Sequence, residues 1–185
     1  MKNRIILGVV LLVVSVGIFP SCSSIPEKAK AIENFNVNRY LGVWYEIART
    51  DNKFERNMDN VVAKYSLKSN GKLVVFNSSY NYEKKEWKSI TGSAKFREDK
   101  NTAALKVTFF KPFYGAYNVI AINEDYKFTL VAGNDLDYLW LLSKEKSMPV
   151  NIKQEYLKQA EEIGYDTSKL IWVKHDKTNP FVNEK

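Results

Sequence analysis

Few side chains in this chain have the chemistry of a catalytic or metal-binding group. Its 185 residues include one histidine, His175, and one cysteine, Cys22. Ser-His or Cys-His catalysis needs a base beside the nucleophile, and His175 is close to the C-terminal end. The usual histidine and cysteine ligands of zinc are missing, as is a glycine-rich phosphate loop. Neighbouring carboxylates such as Glu161 and Glu162 diverge on a helix. The sequence therefore predicts a protein that is not an enzyme and holds no metal or cofactor.

Cys22 favours a covalent modification instead. Residues 1–21 have the plan of a signal peptide, with Lys2 and Arg4 ahead of an apolar run over 5–19. That run is shorter than the roughly 20 apolar residues of a transmembrane helix. The residues before Cys22 resemble a bacterial lipobox, which predicts that Cys22 is acylated and becomes the mature N-terminus. A free thiol is the alternative.

The predicted acylation also indicates a location. Acyl chains contribute about 0.8 kcal/mol per buried methylene, so several of them hold a protein on a membrane. Ser23 stands where an aspartate would resemble an inner-membrane retention signal. We therefore expect a lipid-anchored protein of the outer membrane in the bacterial cell envelope. The expected divisions are a signal peptide over 1–21, a lipidated tether over 22–33, a folded domain over 34–175 and a flexible tail over 176–185.

The formal charge of +7 does not indicate a nucleic-acid-binding protein. Lys2 and Arg4 belong to the signal peptide, and the remaining basic residues are scattered among acidic ones. Such spacing is typical of solvated faces rather than of a basic stripe. An attraction to anionic lipid head groups stays open.

Residues 42–49 have the pattern of a first barrel strand. Gly42 tolerates the backbone angles of a sharp entry into the strand. The side chains that follow alternate between two faces. Because both faces carry apolar bulk, we expect packing on both. One face carries Trp44, Glu46 and Ala48, and the other carries Val43, Tyr45 and Ile47.

Seven further strands follow at the regular spacing of an all-β protein. Short connections between them predict an antiparallel up-and-down meander. Eight such strands close into a barrel large enough for one small ligand. The further strands are predicted over 60–68, 73–82, 87–96, 102–111, 116–123, 126–133 and 136–143.

Helical patterns flank the strands. A short helical turn is predicted over 34–41, and one amphipathic helix over 149–163. The longer helix would begin with a capping box formed by Asn151 and Gln154 and end at Gly164. The fold class is thus all-β, an eight-stranded antiparallel barrel with one C-terminal α-helix packed outside and an edge segment over 170–175. We expect the helix to pack on Val43, Tyr45, Leu139 and Leu141.

Several motifs resemble the lipocalin family. The stretch from Gly42 to Arg49, Gly-Val-Trp-Tyr-Glu-Ile-Ala-Arg, is similar to the first signature of that family. Further motifs in the same order resemble the bacterial outer-membrane lipocalins, which are relatives of apolipoprotein D. They begin at Phe54, Ala104, Pro112, Tyr117, Tyr138 and Leu170.

The resemblance implies a cup that binds a small hydrophobic ligand. Alternation from Trp44 predicts that Glu46 and Ala48 face inward. The match to the family implies the inward orientation of the other lining residues. The lining is mostly apolar and aromatic with a few polar groups, which is typical of a small-molecule pocket. We expect Asn77 and Tyr117 to contact the ligand, since polar atoms inside an apolar barrel need a partner. The predicted ligand-binding residues are Glu46, Ala48, Tyr65, Val75, Asn77, Tyr117, Val119, Ala121 and Trp140.

The resemblance also implies a closed barrel base around Gly42 and Trp44. Lipocalins stack an arginine on this tryptophan, whereas here Lys144 holds that place. Lysine still makes a cation–π contact, but it lacks the planar stacking and the hydrogen-bond fork of a guanidinium. The sequence therefore predicts a looser barrel base.

Two functions of different classes remain. The first is a membrane-anchored protein that carries or stores fatty acids or lysophospholipids in the envelope. The second is a structural or interaction lipoprotein whose barrel is plugged by its own side chains. Small residues predicted to face inward leave room and favour the first function. These are Ala48, Ala63, Gly92 and Ala121. A pigment is a third ligand class, although haem lacks a well-placed axial ligand. Formation of a homodimer stays open.

Overall fold

The computed structural model describes residues 25–182. The predicted signal peptide and the acylation of Cys22 lie outside the described residues and stay predictions. Residues 25–35 run along the outside of the barrel and lead into helix α1, Val37–Tyr40. The Asn36 side chain caps this helix by accepting from the backbone N–H groups of Asn38 and Arg39.

Eight antiparallel strands form the barrel, and a ninth short strand lies at its edge. They are β1 (Gly42–Arg49), β2 (Met58–Leu67), β3 (Leu73–Asn81), β4 (Glu86–Phe96), β5 (Ala104–Thr108), β6 (Gly115–Ile122), β7 (Phe128–Ala132), β8 (Leu139–Ser143) and β9 (Ile171–Trp172). Consecutive strands pair from β2 to β8, β8 pairs with β1, and β1 pairs with β2 to close the barrel. The predicted fold class is therefore confirmed.

Two β-bulges change which side chains face into the barrel. The β1–β8 pairing shifts between Glu46 and Ala48, so that Ala48 lies opposite the outward residue Leu141. The β6–β7 pairing shifts between Val119 and Ala121, which then lies opposite an outward residue of β7. An extra residue in one strand turns the following side chains to the other face. The inward orientation predicted for Ala48 and Ala121 is wrong for this reason.

Helix α2, Val150–Ile163, packs on the outside of the barrel. Its buried residues Tyr156 and Ala160 join Leu139 and Leu141 in one apolar cluster. The predicted packing of the helix on Leu139 and Leu141 is thus confirmed. The other two expected partners, Val43 and Tyr45, are absent from the described members of that cluster. The ring of Tyr45 instead lies 5.3 Å from the ring of His175 in an edge-on arrangement.

The two ends of α2 differ in how well the sequence predicts them. Gly164 ends the helix with φ 117°, a left-handed conformation that favours glycine. The predicted capping box is wrong, because the N-cap is Pro149 and no side chain caps the first turn. Asn151 and Gln154 therefore lie inside the helix.

Two apolar clusters hold the domain together. The outer cluster joins α2 to β6, β7 and β8, and the inner cluster fills the barrel around Trp44. Residues 176–182, predicted as part of a flexible tail, lie against the barrel, where buried Asn179 donates to Ser78 Oγ over 2.8 Å. The described strands close on one another within residues 25–182, which also hold both clusters, so the chain after Cys22 contains the closed barrel. Within that range, no helix combines the length and apolar character needed to cross a membrane.

Candidate functional site

The barrel has two different ends. Helix α1 packs beside the start of β1 and closes one end with residues of the inner cluster. The other end is bordered by four loops, which we call the rim. The rim consists of residues 50–57, 82–85, 109–114 and 133–138. The interior is described below from the closed end to the rim.

Three tyrosines form the floor of the interior, and we call them the tyrosine cluster. The hydroxyl of Tyr117 lies 2.6 Å from that of Tyr40, and the hydroxyl of Tyr65 donates to it over 2.7 Å. The ring of Tyr40 also packs on Trp44, with 4.7 Å between the ring centroids. Since polar groups in an apolar interior need hydrogen bonds, these hydroxyls satisfy each other.

The tyrosine cluster is expected to make the fold less stable at high pH. Burial raises the pKa of Tyr40, of Tyr65 and of Tyr117 above the ordinary value. The unfolded chain loses these protons near pH 10 while the folded protein keeps them, so stability is full below about pH 10 and falls above it. Each group contributes a slope of about 1.4 kcal/mol per pH unit. Urea denaturation of wild type and Tyr117→Phe across this range checks the prediction. An equal slope in the two proteins would contradict it.

Lys144 lies beneath Trp44 at the closed end. Its Nζ is 4.3 Å from the centroid of the Trp44 ring and donates to the carbonyl oxygens of Leu41, at 2.5 Å, and Tyr40, at 3.3 Å. A Cβ on Gly42 would lie 3.3 Å from the same Nζ. Gly42 has φ 99°, which a side chain would also strain. Burial lowers the pKa of Lys144 to about 8.

We expect Lys144→Arg to melt higher than wild type. A guanidinium stacks on the indole and keeps its charge when partly buried, whereas the lysine ammonium is disfavoured by burial. A gain of about 1 kcal/mol would raise Tm by roughly 2–4 °C. Lys144→Met, which loses the charge and both hydrogen bonds, serves as the control and should melt lower. Differential scanning calorimetry measures both. A variant with Arg that melts no higher would show that lysine does not loosen the base.

Asn77 lies above the floor and faces the interior. It pairs with Ala63 on β2 and with Ile90 on β4. Within the described part of the chain, its buried Oδ1 has no hydrogen-bond partner. The side chain of Ala63 is small, but Gly92 leaves no space, because a Cβ there would lie 2.7 Å from a ring carbon of Phe109. The prediction that Gly92 leaves space is therefore wrong.

A buried ionic group closes the interior near the rim. We call Glu46, Arg49 and Glu55 the mouth cluster. Arg49, only 1% exposed, donates through Nη1 to Glu46 Oε1 over 2.8 Å. Its Nη2 donates to the backbone carbonyls of Glu55, at 2.6 Å, and Met58, at 3.2 Å. Arg49 Nε is buried without a partner among the described residues.

The mouth cluster holds one guanidinium, which donates to the side chain of Glu46 and to the backbone of Glu55. Burial, and next the negative charge of Glu55, raise the pKa of Glu46 well above its usual value. Arg49 acts in the opposite direction but does not outweigh them. The net direction favours the protonated form of the Glu46 carboxyl group in this buried site.

The mouth cluster also holds a rim loop in place. Glu55 Oε2 accepts from Trp140 Nε1, at 3.0 Å, and from Asn52 Nδ2, at 2.5 Å. Because Trp140 lies on β8, which pairs with β1, these bonds tie the loop over 50–57 to the neighbouring strand at the rim.

The predicted ligand-binding residues are only partly brought together. Tyr65 and Tyr117 form the floor, and Asn77 lies above it. Val75 and Val119 pack in the apolar interior, and Glu46 and Trp140 line the mouth. Ala48 and Ala121 lie outside the barrel.

Sequence reasoning missed three residues of the interior, Tyr40, Arg49 and Glu55. Strict alternation from Trp44 places Arg49 on the outer face, and the bulge in β1 reverses that orientation. A signal existed, because Arg49 and Glu55 both lie within motifs that resemble the lipocalin family. Their opposite charges, one in each of two such motifs, would have been a reason to place Arg49 and Glu55 close together.

Comparison with known proteins agrees with this architecture. Residues 35–175 match the lipocalin-like domain family. Outer membrane lipoprotein Blc of Citrobacter freundii is 47% identical over 171 residues, which cover 91% of this chain and 97% of that protein. Apolipoprotein D of Cavia porcellus is 33% identical over 124 residues, covering 63% of this chain and 65% of that protein. The structure of insecticyanin from the tobacco hornworm Manduca sexta has the same fold, with a TM-score of 0.65, 20% identity, and coverage of 78% of this chain and 83% of that one. The resemblance seen in the motifs is thus confirmed, and the chain belongs to the lipocalin family.

Proposed function

We propose that the protein binds fatty acids or lysophospholipids inside its barrel and carries or stores them in the cell envelope. Membership of the lipocalin family implies a small hydrophobic ligand, and the chemistry of the interior narrows its class. The acyl groups proposed for Cys22 hold the protein at the outer membrane. The related protein of Citrobacter freundii bears the name outer membrane lipoprotein, which supports this location.

The observation that carries the proposal is the buried Oδ1 of Asn77. This acceptor has no partner in the described chain and lies between Ala63 and Ile90 in an apolar interior. Leaving such a group unpaired costs about 1–3 kcal/mol, so a ligand hydroxyl that donates to it is favoured. A lysophospholipid offers a glycerol hydroxyl and one acyl chain. The chain gains about 25 cal/mol per Å² of apolar surface that it buries.

Other observations favour the plugged-barrel alternative. Ala48 and Ala121 lie outside the barrel, and the ring of Phe109 fills the space beside Gly92. The tyrosine cluster satisfies its own hydroxyls, and the mouth cluster occupies the other end.

The test is a titration with a fluorescent fatty acid followed by displacement with palmitate or a lysophospholipid. We expect Asn77→Ala to weaken lysophospholipid affinity by about fivefold to tenfold, the value of one hydrogen bond. Tyr117→Phe should have a smaller effect, because its hydroxyl is already shared with Tyr40 and Tyr65. Asn38→Ala, an exposed asparagine on α1, is the matched control and should bind like wild type.

The outcomes separate the alternatives. Unchanged affinity in both Asn77→Ala and Tyr117→Phe would remove these residues from the site. A wild-type protein that takes up neither the fluorescent fatty acid nor a lysophospholipid would overturn the proposal in favour of a plugged barrel.

A further inference from the structure

Large apolar side chains are exposed on every loop of the rim. Phe54, Phe110 and Phe113 are 70%, 71% and 78% exposed. Tyr82, Tyr114 and Leu136 are also exposed. Other exposed apolar residues of the described chain, such as Leu67 and Val150, lie singly away from the rim. Several bulky apolar groups around one end are more than the scattered exposure of an ordinary surface.

Basic side chains accompany these aromatic residues on three of the four loops. Lys53 Nζ lies 5.2 Å from the ring centroid of Phe54, and Lys106 Nζ of the adjoining strand lies 5.5 Å from that of Tyr114. Exposed Lys111 is located between two exposed phenylalanines. The fourth loop, residues 133–138, is acidic. Lys84 and Lys85 follow Tyr82 on the loop over 82–85. Apolar and basic groups therefore coincide on the loops over 50–57, 82–85 and 109–114, which together carry five basic and three acidic residues.

The start of the described chain also lies towards the rim. Lys28 Nζ donates to the carbonyl of Glu162 in the last turn of α2. The residue after that helix, Gly164, is adjacent to Leu136 of the rim. The chain then continues to Phe35, whose N–H donates to the backbone carbonyl of Asn101 near the closed end.

This course limits how far the proposed membrane anchor can lie from the rim. Cys22 precedes Ile25 by three residues, which extend over at most about 11 Å. Acyl groups on Cys22 would therefore hold the membrane on the rim side of the barrel rather than at its closed end.

We infer that the rim docks on an anionic phospholipid bilayer, with Phe54, Phe110 and Phe113 inserted among the head groups and the neighbouring lysines at the lipid phosphates. Aromatic side chains with a basic surround are the features that bind an anionic membrane surface. The docked barrel faces the bilayer with its mouth. This inference goes beyond the proposed function, since it holds for any ligand in the barrel and for an empty one.

Vesicle flotation tests the inference. The chain from Ser23 onward, which contains the closed barrel and no acyl group, is mixed with vesicles of phosphatidylethanolamine and phosphatidylglycerol. The wild type should float with the vesicles, and less so at high salt. The double variant Phe54→Ser and Phe113→Ser should bind them about tenfold or more weakly. The matched control, Leu67→Ser with Val150→Ser, removes exposed apolar groups elsewhere and should stay within about twofold of wild type.

Three results would overturn the inference. They are a wild type that does not bind anionic vesicles, a rim variant that binds them as well as wild type, and a control that loses as much binding as the rim variant. Near-ultraviolet circular dichroism verifies that each variant is folded. Uptake of fluorescent fatty acid without vesicles should be equal in wild type and rim variant, so a failure of ligand binding is distinguished from a failure of docking.

Discussion

Arg49→Met is expected to lower the free energy of unfolding by about 3–5 kcal/mol, because it leaves three buried or half-buried acceptors without the guanidinium that donates to them. Arg49 is 1% exposed and donates to Glu46 Oε1 over 2.8 Å. The backbone carbonyls of Glu55 and Met58 would lose their donor as well. Methionine has a similar length and fills the space, so the loss reports the charge and the hydrogen bonds. Guanidinium denaturation at neutral pH measures the change.

Glu46→Gln is the matched control for this prediction. The raised pKa of Glu46 favours the protonated acid beside Glu55, and a glutamine amide replaces that acid as a donor. We expect a loss of about 1 kcal/mol or less, the net value of one hydrogen bond. A loss as large as that of Arg49→Met would contradict the protonated form of Glu46.

Ala63→Phe is expected to weaken ligand binding strongly while leaving the empty protein folded. Ala63 faces the interior opposite Asn77, where the proposed acyl chain would lie. A phenyl ring there displaces three or four methylenes of the ligand at about 0.8 kcal/mol each, which weakens affinity by roughly a hundredfold. Titration with a fluorescent fatty acid measures this loss.

The stability of Ala63→Phe separates an open barrel from a plugged one. If the space is open, the ring fills it, and the free energy of unfolding should stay close to that of wild type. If the interior is already packed, overpacking should cost about 1–3 kcal/mol. Ala116→Phe, on an outward position of β6 opposite exposed Lys106, is the control and should alter neither binding nor stability. A destabilised Ala63→Phe protein that still binds fatty acid would contradict the proposed location of the ligand.

The overall fold could be predicted because many weak signals agree. Strand alternation, short turns and one helical period all indicate the same closed meander, and Gly42 and Gly164 are located where positive φ angles occur. The capping box failed because Pro149 begins the helix directly, which leaves Asn151 within its first turn. A local cap motif is only one of several ways to satisfy a helix end.

The interior could be predicted only in part, because strand alternation does not reveal a bulge. Ile47 and Ile120 mark the two shifts, and neither residue type signals an irregular strand. Each bulge moved an alanine out of the barrel, and the one in β1 also brought Arg49 inward. The tyrosine cluster was missed in part because Tyr40 comes from helix α1 rather than from a strand.

Native mass spectrometry of the mature protein tests whether the barrel holds one acyl-chain ligand. We expect a complex of one protein with one ligand, from which organic extraction releases a fatty acid or lysophospholipid, and the loss of that complex in Ala63→Phe. An empty barrel that also fails to take up added fatty acid or lysophospholipid would contradict this expectation.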